Sequence, residues 1–101
     1  MHPYGVMFRR TAQAKQKVTS GRFEIEQDGH IAFLEYSFAG NILQLIYTEV
    51  PPELEGKGVG SELAKSALDW AREHGARVDV VCSFVAEYLE RHPEYADLVV
   101  H

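Results

Sequence analysis

Two interruptions close together limit what this chain can become: Pro51-Pro52 and, shortly after it, Gly56-Lys57-Gly58-Val59-Gly60-Ser61. Neither proline donates a backbone hydrogen bond, so a strand that reaches them stops. The three glycines stand at alternate positions directly before a segment with helical periodicity, so the backbone curls there and a helix begins. Strands lie before this point and helix after it, which makes the chain a mixed α/β layer.

The flanking segments fill in that order. Phe23, Ile25 and Gln27 alternate with Arg22, Glu24 and Glu26, which predicts a half-exposed strand, and Asp28-Gly29 is a two-residue hairpin signal. A second strand is expected from about His30 to Phe38, then a turn at Ala39-Gly40-Asn41. In the third, Ile42 to Val50, one set of alternating positions holds Ile42, Gln44, Ile46 and Thr48 and the other Leu43, Leu45, Tyr47 and Glu49. Both faces are largely apolar, so something is expected to cover each side. After the glycines, Val59, Leu63, Ala67 and Ala71, joined by Ala64, Leu68 and Trp70, form one helical face to about His74, opposite Glu62, Lys65, Asp69, Arg72 and Glu73. Gly75 stops that helix. Arg77 to Cys82 reads as a Val-rich strand, and Ser83 as the cap of a second helix in which Phe84, Val85, Tyr88 and Leu89 share a face before Pro93.

Composition narrows the class further. The 101 residues are 46% hydrophobic and 25% charged, ordinary values for one soluble globular domain. A single cysteine rules out an internal disulfide framework, and with five scattered histidines no zinc cluster or other metal site is expected. No apolar run approaches the roughly 18 residues of a membrane span, and no secretory hydrophobic region follows Met1, so a cytoplasmic location is the default expectation. The charge is lopsided: Met1 to Arg22 holds five basic residues and no acid, while Phe23 to His101 holds all 15 acids and the other five bases. Residues 1–20 are therefore read as a basic, poorly ordered arm, and residues 21–101 as the domain. The acidic body would repel a phosphate backbone, which argues against nucleic acid as a partner.

The glycine loop carries the chemistry. Alternate glycines before a helix let several N–H groups converge where the positive end of the helix dipole also acts, a cradle for pyrophosphate. The reading without chemistry is a flexible turn with a glycine cap. A Walker loop fits poorly because Lys57 is followed by Gly58 rather than Ser or Thr, and a Rossmann fingerprint fits poorly because the preceding strands are hairpin-linked and Pro51-Pro52 intervenes.

The run from Thr48 through Gly60, TEVPPELEGKGVG, resembles the strand and phosphate loop of the GNAT N-acetyltransferase superfamily. Cys82-Ser83-Phe84-Val85 and Arg91-His92-Pro93-Glu94-Tyr95 are similar to its short, stand-alone, N-acetyltransferase domain-containing members, and the likeness covers Gly21 to Val100. It implies a compact mixed α+β fold with a sheet of four to five strands, mainly antiparallel, and two main helices. Two departures stand out: Glu55 where members usually begin the loop with Gln or Arg, and no helical segment between the first two strands, the part that normally shapes the acceptor pocket.

The resemblance implies acetyl-CoA as co-substrate and no metal. It places Glu49 and Val50 beside the thioester, with the Val50 N–H on the acetyl carbonyl. Glu55, Gly56, Lys57, Gly58, Val59, Gly60 and Ser61 would hold the pyrophosphate. Tyr88 stands where many members carry a tyrosine that protonates the departing thiolate, though an amphipathic helix also buries tyrosine for area. Cys82 would face the acetyl group, as a covalent acceptor or as a small hydrophobe, and Glu49 is the candidate base for an incoming ammonium. The expected activity is acetyl transfer to an amine by direct attack, in a monomer or homodimer, with the acidic body favouring a cationic acceptor. The alternatives are an acyl-CoA-binding module without turnover, suggested by the missing segment, and an interaction protein that uses the basic arm.

Overall fold

The computed structural model describes the backbone of residues 6–12 and the whole of residues 19–100. Strands β1 (Val6–Ala12), β2 (Thr19–Gln27), β3 (His30–Ala39) and β4 (Ile42–Glu49) precede helix α1 (Val59–Glu73), strand β5 (Arg77–Val80) and helix α2 (Ser83–Arg91). Short 3-10 segments lie at Pro52–Leu54 and Pro93–Leu98. One sheet runs in the order β1-β2-β3-β4-β5, antiparallel except for the parallel β4–β5 pair. This is the mixed sheet with two main helices that the sequence implied. Pairing also reaches into the segment read as a basic arm: Val6 lies opposite Ile25, Phe8 opposite Phe23 and Ala12 opposite Thr19. Val, Phe and Thr suit a strand, and their backbone covers an edge of β2 that would otherwise be bare. The rest of the arm, residues 1–5 and 13–18, lies outside the described residues.

At the first hairpin Asp28 and Gly29 both take positive φ, 54° and 78°, the two-residue turn expected there, and Gln27 faces His30 across it. That register puts Phe23, Ile25, Ala32, Leu34 and Tyr36 on one face, all buried. Helix α1 covers them with Val59, Leu63, Ala64, Ala67, Leu68 and Ala71, the stripe its spacing predicted. Trp70 closes the rim, edge-on to Phe38 at 5.3 Å and stacked on His74 at 4.1 Å.

Strand β4 departs from simple alternation. Tyr36 lies opposite Leu45, but Glu35 lies opposite Tyr47, so Ile46 is an extra residue on β4. Such a bulge reverses the faces beyond it. Leu43 and Leu45 are buried under α1; past Ile46, Thr48 joins Leu34 on that side, while Tyr47 and Glu49 turn to the opposite face beside Glu35 and Phe33. The expectation that both sides of this strand are covered is thereby corrected: neither helix covers Tyr47 or Ile42, which stay 49% and 39% exposed. Glu24 is a second correction. Expected on a wet face, it is only 4% exposed, flanked by β1 and β3 and 3.7 Å from Arg22, whose guanidinium lies 4.0 Å over the Phe33 ring.

The C-terminal turns are clamped onto α1 and β5. Arg72 donates to both carboxylate oxygens of Asp97, at 2.9 and 3.1 Å, and to the Glu94 carbonyl at 2.8 Å; Arg77 donates to the carbonyls of Leu98 and Val99, and Val100 N–H to the Val78 carbonyl. The Tyr95 hydroxyl donates to Asp69 at 2.6 Å, and Lys65 reaches the same carboxylate at 2.7 Å. Partial burial alone would raise the Asp69 pKa, but the hydrogen bonds from Lys65 and Tyr95 outweigh it and hold the group below its usual range. A carboxylate depressed in the folded state stabilises above its unfolded pKa, about 3.9, and loses that contribution as pH falls through the lower folded value. Asp69→Asn is therefore expected to lower the melting temperature slightly at pH 7, with the variant and parent curves converging as pH falls below about 4 in thermal scans across pH. The second helix starts differently from expectation: Ser83 is its first helical residue, preceded by an extended Cys82, with no side-chain cap. No helix among the described residues is long and apolar enough to cross a membrane.

Candidate functional site

The parallel ladder joins Ile42–Leu45 to Arg77–Val80 and ends there. The Leu45 carbonyl accepts from the N–H groups of both Val81 and Cys82, at 2.9 Å each, while the bulge at Ile46 redirects β4. The two strands diverge beyond this point. A cavity of about 410 Å³ opens between the end of β4, the glycine loop and the start of α2.

The loop is built to face that cavity. After Pro51-Pro52 the chain turns through one 3-10 segment anchored by the buried Leu54, whose N–H donates to the Pro51 carbonyl. Gly56 and Gly58 then take φ of +78° and +76°, a left-handed conformation in which a Cβ is disfavoured even though open space surrounds both positions. Gly58 flanks α1, and its carbonyl accepts the Glu62 N–H at 3.0 Å. The N–H groups of Val59, Gly60 and Ser61 therefore precede the first intrahelical bond and stand at the cavity wall, where the dipole of a 15-residue helix adds positive potential. That arrangement suits a diphosphate.

Of the residues singled out from the sequence, Val50, Glu55, Gly56, Gly58, Val59, Gly60 and Ser61 line this one cavity. Lys57 does not; its Nζ lies 3.5 Å from Asp28 at the tip of the β2–β3 hairpin. Cys82 is buried where the strands part, its Sγ 3.2 Å from Thr48 Oγ1. Glu49 lies on the open face of the sheet and accepts a hydrogen bond from the Tyr47 hydroxyl, which together with its charge raises the Tyr47 pKa. Tyr88 is buried away from the cavity lining, stacked on His92 at 4.1 Å with Tyr95 nearby; burial pushes its phenol pKa up. The fold thus gathers the loop and Val50, and leaves Tyr88, Glu49 and Lys57 in three other places.

Thr48, Leu54 and Phe84 also line the cavity and were not singled out from the sequence. Thr48 was hidden by the bulge, which nothing in the β4 pattern announces. Phe84 had a signal in Gly60, a glycine inside a helical turn where alanine would serve unless another group occupies the Cβ position. A second depression, about 480 Å³, lies toward the open face and is lined by residues that include Arg22, Glu24, Glu35 and Ile46. It has neither a helix terminus nor glycines in left-handed conformation. Among the described residues no group of three or more His, Cys, Asp or Glu is arranged to hold a metal ion.

Comparison with known proteins bears on the family and the fold. The profile of the GCN5-related N-acetyltransferase family matches residues 22–98. Protein NATD1 from Bos taurus is 36% identical over 63 residues, covering 61% of this chain and 56% of the relative; the Danio rerio protein is 29% identical over 73 residues, covering 69% and 66%. The chain spans just over half the length of the first of these relatives. The solution NMR structure of a GCN5-like protein from Staphylococcus aureus superimposes with a TM-score of 0.60 at 26% identity, covering 91% of this chain and 87% of that one.

Proposed function

This chain belongs to the GCN5-related N-acetyltransferase family, and we propose that it binds acetyl-CoA in the 410 Å³ cavity and transfers the acetyl group to an amine. The observation that carries this reading is the meeting, at one cavity, of a strand end that has left its neighbour and a helix N-terminus opened by left-handed glycines. The N–H groups of Val59, Gly60 and Ser61 hold the pyrophosphate, and Lys57, exchanging Asp28 for a phosphate, adds one positive charge. The Val50 N–H takes the charge that develops on the thioester oxygen.

In this reading a neutral amine attacks the thioester carbon directly, the C–S bond breaks, and Tyr88, a phenol protonated at neutral pH whose pKa burial raises further, returns a proton to sulfur. On the same reading the amine enters from the open face, where the carboxylates of Glu35 and Glu49 favour a cationic acceptor, and Glu49 takes the ammonium proton. One observation favours a second reading, an acyl-CoA-binding module without turnover: Tyr88 packs on His92 instead of lining the cavity.

A thiol-release assay across a panel of amines separates the two. Transfer predicts release from acetyl-CoA that rises with amine concentration, and a Tyr88→Phe variant with slower turnover but nearly unchanged CoA affinity. Binding of CoA with only amine-independent background release would establish the module. Cys82 is expected to act as packing in either case. Mass spectrometry after incubation with acetyl-CoA should find no acetyl adduct on it, and Cys82→Ala should cost on the order of 1 kcal/mol of stability with the rate retained. An acetyl-cysteine that passes its acetyl group to amine at the steady-state rate would show a covalent route instead.

A further inference from the structure

Gly60 differs from the two glycines before it. It lies inside α1 with no left-handed φ, so its backbone would accept any residue. What opposes a side chain is Phe84: a Cβ at Gly60 would lie 2.8 Å from Phe84 Cζ, closer than such carbon atoms come, and 3.2 Å from Cε2, a tight contact, unless the ring moves. Phe84 is the second residue of α2, next to the point where β5 leaves β4; it lines the cavity, and its ring stands against Gly60 in the first turn of α1. It is only partly buried against the core, so part of the ring is left to the cavity.

We propose that Phe84 is a ligand-contacting wall of this cavity, and that the third glycine of the loop lacks a side chain so that the Phe84 ring can close against α1, its N–H remaining with the phosphate. The inference rests on the acetyl-CoA reading above. The cavity has two chemically different sides, N–H donors at the helix start and the apolar Val50, Leu54 and Phe84. An aromatic ring there offers nothing to a diphosphate and a large apolar face to the uncharged, methylated pantetheine arm. Gly60 then acts as a positioning residue, setting where that face stands.

The test is a double-mutant cycle on CoA affinity, read by titration calorimetry together with melting temperature. Phe84→Leu should weaken CoA binding about tenfold, the loss expected for roughly 60 Å² of apolar contact. Gly60→Ala, which favours the helix by propensity, should weaken binding by about tenfold when Phe84 is present. In the Phe84→Leu background, where the smaller side chain yields to the new Cβ, the same change should alter affinity by less than about twofold. Equal losses from Gly60→Ala in both backgrounds would overturn the proposal and show that the phosphate itself needs the bare Gly60 Cα. Unchanged affinity in Phe84→Leu would overturn it as well. Absence of CoA binding by the parent protein is a different outcome: it removes the acetyl-CoA reading itself, and the wall with it.

Discussion

Gly58→Val should abolish measurable CoA binding, a loss of at least about a hundredfold, while the protein still folds. Gly58 sits at φ +76°, ψ 13°, where a β-branched residue is a steric outlier whose strain is of the order of 1–3 kcal/mol. A Cβ at this position would meet no atom within 4 Å, so the core is not disturbed and the strain stays in the loop. The loop relieves it by rotating out of the left-handed region, which turns the N–H groups at the start of α1 away from a common point. Calorimetry with CoA and a thermal melt on the same sample read the two effects separately; the melting temperature should fall by roughly 5–15 °C. Unchanged affinity would show that the glycine loop is only a turn.

The largest effect on stability is expected at Leu63→Ala. Leu63 is fully buried in the central stripe of α1, among side chains of β2 and β3, and truncation there leaves a cavity as well as lost transfer energy, about 2–5 kcal/mol. For a domain of this size that corresponds to a drop of more than about 10 °C. Ile42→Ala, on the sheet face that no helix covers, should cost below about 1 kcal/mol although it removes as large a side chain. Comparable losses at both sites in denaturant melts would mean that the second face is covered after all.

The strands and α1 were legible because each obeys one periodicity and ends on a residue with a backbone reason to be there: Asp28-Gly29, Pro51-Pro52, Gly75. The loop was legible for the same reason, since Gly56 and Gly58 are read from conformation. The faces of β4 were not. One extra residue at Ile46 reverses every position after it, and since both sets of alternating residues are apolar, pattern alone could not reveal the reversal. Thr48 was missed in this way, and Glu49 was placed on the side of Leu45 when it lies with Phe33. Tyr88 illustrates the other limit: its helical face could be read from spacing, but its stacking on His92 depends on where the 3-10 turn after Pro93 brings the chain back.

The strictly sequential strand order has a kinetic meaning. Four neighbouring strands pair antiparallel, and the two hairpins at Asp28-Gly29 and Gly40-Asn41 close over the shortest possible loops, events of the microsecond class. Only the β4–β5 pair requires a crossover, through the proline turn, the glycine loop and all of α1, so it carries the largest loop-closure entropy in the sheet. The hairpins are a scaffold the chain can complete early, and the crossover is expected to close late in folding. Because the cavity exists only where that last pair forms and then parts, the proposed acetyl-CoA site is expected to be the last region of the sheet to be assembled.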